Sequence, residues 1–128
     1  MDFEKLEERA YEANVARNQN MKLEATKIEE EILKNMTENQ FVFPVEEDVL
    51  ITKNSASFVY NNSKTYPSLL EFIGRILHVD IPIKINECNF GPGGIIISAE
   101  NKEQAQKILL DCCQELHILI KAKKGHID

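Results

Sequence analysis

Ser68-Leu69-Leu70-Glu71-Phe72-Ile73-Gly74-Arg75-Ile76-Leu77-His78 (68–78) is the stretch on which the fold turns. Tyr66-Pro67 leads into it, and Ser68 and Glu71 stand at the spacing of a helix capping box. The helix expected here has only Glu71, Gly74, Arg75 and His78 as polar or bare positions. A helix apolar round nearly its whole circumference has to be buried on most sides. In a chain of 128 residues one sheet does not cover it, so a second helix or a second subunit has to lie over it.

Working outward toward the C-terminus, Val79, Ile81, Ile83 and Ile85 alternate with Asp80, Pro82, Lys84 and Asn86. That is the pattern of a half-buried strand. The parity then shifts at Cys88 and Phe90, which reads as a bulge near Glu87. Gly91-Pro92-Gly93-Gly94 is a turn, and Ile95 to Ala99 is the strand that returns. Asn101 and Gln104 offer a helix start. Ala105, Ile108, Leu109, Cys112, Leu116 and Leu119 form its apolar stripe. Lys121 to Lys124 suit the negative end of the helix dipole, and Gly125 is a stop.

Toward the N-terminus, Val49 to Lys53 and Ala56 to Tyr60 read as two strands around a tight turn at Asn54-Ser55. Phe41 to Val45 contains Pro44, so it is an edge strand or a loop. Residues 2–38 read as helix: Phe3, Leu6, Ala10 and Ala13 make one stripe, and Met21, Ala25, Ile28, Ile32 and Met36 a second. Between them Arg17-Asn18-Gln19-Asn20 has no apolar residue, and a break, a kink or a polar stretch of one continuous helix all fit. A continuous helix would run ~55 Å, about twice the width of a domain this size, and its overhang would seek a partner. The apolar positions of residues 2–20 are mostly small, which makes this the less firmly held half. The organisation expected is an amphipathic acidic helix over 1–38 and an α+β core over 39–128.

The acidity is local. Residues 1–48 carry a balance of −7 and residues 49–128 a balance of +1, for a net charge of −6. Nucleic-acid backbones are bound by clustered Lys and Arg, and only Lys121, Lys123 and Lys124 cluster, so direct nucleic-acid binding is not expected. The start Met1-Asp2-Phe3-Glu4 lacks the basic-then-apolar pattern of a secretory signal. No run of ~18 apolar residues is present, so no membrane span is expected. Three cysteines without a C-x-x-C spacing read as free thiols in a reducing cytoplasm.

Catalytic motifs do not emerge. Gly91 to Gly94 joins two strands, Pro92 removes a donor and no Lys-Ser/Thr follows, so the loop is a turn and not a phosphate cradle. Cys113 and His117 lie four apart on one helix face, but no second ligand pair accompanies them, and neither metal nor cofactor is expected. The same pair is the one Cys–His dyad that can be drawn, with nothing to supply an oxyanion site. The carboxylates at Glu29-Glu30-Glu31 and Glu46-Glu47-Asp48 read as a solvated face.

The fold class expected is α+β, an antiparallel sheet of four to five strands with a long N-terminal helix and two more, in the order α-β-β-β-α-β-β-α. This order resembles that of small acidic secretion chaperones, and profilin-like and roadblock-like adaptor domains share much of it. Resemblance to the chaperones implies dimerisation through the middle helix. The function expected is non-catalytic protein binding, as adaptor, chaperone or inhibitor, by a cytoplasmic homo-oligomer. Its interface residues would be Phe3, Leu6, Leu69, Phe72, Ile73 and Ile76. Two alternatives are a small-ligand-binding protein or enzyme with a site between subunits, and an acidic nucleic-acid mimic.

Overall fold

A computed structural model of the chain describes residues 2–39, 41–43, 49–51, 57–60, 66–91 and 94–123, with the backbone alone for 49–51 and 57–60. The class is α+β. Among the described residues four helices and five strands follow one another as α1 (Phe3–Asn18), α2 (Lys22–Glu38), β1 (Val49–Ile51), β2 (Ser57–Tyr60), α3 (Pro67–Leu77), β3 (Ile83–Ile85), β4 (Cys88–Gly91), β5 (Gly94–Ser98) and α4 (Lys102–Lys123).

The polar stretch after Ala16 is a break, and the long first helix becomes a helical hairpin. Asn20 takes the left-handed conformation (φ 61°), which Asn tolerates better than most residues. The Met21 N–H then bonds Ala16 O at 2.8 Å and the Asn20 N–H bonds Arg17 O at 3.1 Å, the Schellman pattern that closes a helix. Asp2 caps the other end, accepting from the Lys5 N–H at 2.9 Å. No overhang results, because α1 and α2 pack along each other.

The strands form one antiparallel sheet in the order β1-β2-β5-β4-β3. β3 and β4 correct the single bulged strand expected over 79–90. Asn86, with φ 52°, and Glu87 form a two-residue turn, and Ile85 pairs directly with Cys88. Two turn residues restore the alternation on the far side, so the parity shift marked a chain reversal. Phe41 and Phe43 lie in irregular chain, the loop of the two readings that Pro44 left open. The Asn54-Ser55 turn, Pro44 and Val45, and Pro92-Gly93 fall outside the described residues, although Gly91 and Gly94 pair as a hairpin end requires.

Along β3, β4 and β5 one set of side chains is buried: Ile83, Ile85, Cys88, Phe90, Ile95 and Ile97. The alternate positions Lys84, Ile96 and Ser98 are exposed. Helices α3 and α4 cover the buried face, and the α1–α2 hairpin lies outside them, α1 on α3 and α2 on α4. The layers are thus sheet, helix pair, helix pair. One buried cluster joins Leu6, Ala10 and Ala13 of α1 and Ile32, Leu33 and Met36 of α2 to α3, α4 and the sheet. Residues 2–20 are therefore part of the core, small side chains included, because close approach of two helices favours alanine where a large residue would hold them apart.

Candidate functional site

The hairpin's contact with α3 is unusually polar. Glu29 projects from the inner face of α2 and is 0% exposed. Arg17 Nε donates to both of its carboxylate oxygens at 2.9 and 2.8 Å, and Arg17 Nη2 and Arg75 Nη2 also ion-pair with it. Arg75 Nη1 donates to Asn14 Oδ1 at 2.9 Å, and Asn14 Nδ2 passes the chain on to Ser68 O at 3.2 Å. The Arg75 guanidinium also lies 5.7 Å from the Phe72 ring centroid, within cation–π range. This corrects the expectation of a solvated face at Glu29-Glu30-Glu31. Glu29 falls four residues after Ala25 and three before Ile32, on the buried stripe, and that spacing was the signal to read.

Glu7 supplies a second polar tie. Its two oxygens accept from the backbone N–H groups of Ser68 and Leu69, each at 2.8 Å. They satisfy the open N-terminus of α3, where negative charge is favoured by the helix dipole. The Ser68/Glu71 capping box expected there does not form. Tyr66 is the cap residue, it makes no side-chain cap bond, and Pro67 occupies the first turn. Arg9 ties α1 to α2 through Glu31, by Nε and Nη2 at 2.9 and 2.7 Å, and also pairs with Glu12. All three arginines of the chain are thus ion-paired within it.

On its solvent side the hairpin carries a broad groove of about 930 Å³, lined by Arg9, Glu12, Leu23, Glu24, Lys27 and Glu30 among others. Leu23 is 87% exposed and Met21 beside it is also exposed. A shallower crevice of about 460 Å³ lies at the C-terminal end of α3, between Glu71, Arg75 and the Val79–Ile81 segment.

The thiols are inward. Cys88, Cys112 and Cys113 are all buried and free. Burial pushes the Cys113 thiol up to about 11, and it raises Cys88 and Cys112 as well. A thiol held protonated in this way is a poor nucleophile at neutral pH. His117 Nδ1 is buried with no hydrogen-bond partner among the described residues, and its ring packs on Phe41 at 5.9 Å. Among the described residues no group of three His, Cys, Asp or Glu is placed to hold a metal ion. No described helix is long and apolar enough to cross a membrane.

The six residues expected at an interface are placed as follows. Leu6, Leu69, Phe72 and Ile73 are buried in the chain's own core, and Phe3 and Ile76 are partly buried against it. Phe3 joins an aromatic cluster with Phe41, Phe43 and Tyr66 at centroid distances of 5.2 to 5.9 Å. The cover that the apolar helix needs comes from α1, α4 and the sheet of the same chain. The structure brings these residues together around α3 and does not present them as one exposed face. Comparison with known proteins gives no match to a protein-family model, a curated protein or a solved structure.

Proposed function

We propose that the chain is a non-catalytic protein-binding protein, cytoplasmic and homo-oligomeric, whose docking surface is the outer face of the α1–α2 hairpin. The observation that carries this reading is Leu23, an almost fully exposed leucine at the rim of the hairpin groove. A lone exposed leucine is ordinary on a protein surface. This one lines a concave surface on the acidic part of the chain, two residues after another exposed apolar residue, Met21. Glu12, Glu24 and Glu30 face Arg9 and Lys27 around the groove, and Arg9 already spends its charge on Glu31 and Glu12. The lining offered to a partner is apolar at Leu23 and carries three carboxylates against two cations. It suits a basic partner with an apolar anchor, which electrostatic complementarity would bring in faster at low salt.

The test compares the full chain with Leu23→Asp, a substitution at a position too exposed to disturb folding. Both are immobilised and offered cell extract under native conditions, and retained proteins are cross-linked and identified. The expected result is a basic protein held by the wild type, released as salt rises, and lost with Leu23→Asp while the urea midpoint is unchanged. Equal retention by both chains would place the site elsewhere. Light scattering of the same samples reads the oligomeric part of the proposal, and a monomer mass at micromolar concentration contradicts it.

A further inference from the structure

Three cysteines allow three pairings, and the fold distinguishes them. Cys112 and Cys113 are neighbours on α4, where successive side chains diverge by about 100°, so joining them would pull the peptide between them out of helical geometry. The Cys113 thiol is buried on the helix face it shares with His117, four residues on, whose ring packs on Phe41. The Cys112 thiol points to the β3–β4 hairpin, where it donates to Ile85 O at 3.2 Å. Ile85 is the direct cross-strand partner of Cys88, so the Cys112 thiol sits against the residue pair that holds Cys88, and both cysteines are buried in one core cluster.

We propose that Cys88 and Cys112 are a latent disulfide pair, able to clip α4 to β4 when the chain meets a small-molecule disulfide. The chemistry is two exchanges. One cysteine thiolate attacks oxidised glutathione, forming a mixed disulfide and releasing one glutathione thiolate. The second cysteine thiolate then attacks the protein sulfur of that mixed disulfide and releases the other glutathione. Each cysteine loses its proton, the protein pair gives up two electrons, and one oxidised glutathione becomes two reduced. In the folded chain Cys88 is 0% and Cys112 1% exposed, so the reagent reaches them only while α4 is off the sheet. The bond therefore forms during folding or opening, and slowly or not at all in the closed molecule.

The full chain, reduced and unfolded in urea, is refolded by dilution into a buffer of oxidised and reduced glutathione. It is then unfolded again and its free thiols are alkylated. The expected product has lost two hydrogen atoms, carries one alkyl group and shows a higher urea midpoint than the reduced chain. Cys113→Ser still cross-links, and Cys88→Ser does not. Natively folded reduced protein placed in the same buffer should oxidise many-fold more slowly. Three alkylated cysteines, a bond that survives in Cys88→Ser, or a link between two chains would overturn the assignment. Equal oxidation rates for folded and refolding protein would overturn the gating by burial.

Discussion

Glu29 concentrates the electrostatics of the molecule at one residue. A carboxylate with no solvent exposure is tolerable only if paired and fully hydrogen-bonded, and Arg17 and Arg75 provide that from two different helices. The arginines themselves keep part of their side chains in water, so the three charges are not equally demanding. Substituting both as Arg17→Ala/Arg75→Ala strands the carboxylate, and urea denaturation should show a loss of about 3–5 kcal/mol. The triple variant Arg17→Met/Glu29→Leu/Arg75→Met removes every charge together, and its urea midpoint should lie much nearer the wild type than that of the double variant. The pattern of helical spacing placed Glu29 on a buried stripe, but three consecutive glutamates read as surface, and their partners are 12 and 46 residues away. Sequence periodicity carries no record of such distant neighbours.

At the scale of the element, α3 is the case in point. Its own sequence offers Ser68 and Glu71 for a local cap, yet Pro67 in the first turn moves the helix start so that Ser68 is already inside it. The open N–H groups are met by Glu7 instead, from 61 residues upstream. Glu7→Ala should cost about 1–2 kcal/mol, the usual range for a lost cap, and Glu7→Gln less, since one oxygen still accepts. Thermal or urea unfolding of the two variants checks the order, and no loss in Glu7→Ala would show that water serves the helix end equally well. Elements whose signal is local were legible: the helix start at Asn101, whose side chain accepts from the Gln104 N–H at 2.8 Å, is where capping chemistry puts it. The β3–β4 turn was harder, because Asn86-Glu87 lacks the glycine that usually announces a two-residue hairpin.

The whole molecule is a sheet covered on one described face by two helix layers, and the outer layer meets the sheet chiefly through the inner one. The α+β class followed from the periodicities alone. The burial of α3 also followed, but its cover proved to be intramolecular, because the break at Asn20 folds α1 back alongside α2 over the helix pair. Of the two covers that the apolar circumference of α3 allowed, a second helix or a second subunit, the described fold supplies the first, with α1 and α4 both packed on it. That leaves the solvent side of the hairpin, with Leu23 at 87% exposure, as the surface on which the proposed binding depends. The most direct test is amide hydrogen exchange of the full chain, alone and bound to the basic protein it captures. The account predicts slowed exchange, or a cross-link footprint, centred on residues 22–30 and the facing Arg9–Glu12 segment, with the sheet unchanged. Protection confined to the sheet or to α4, with residues 22–30 exchanging as in the free chain, would contradict it.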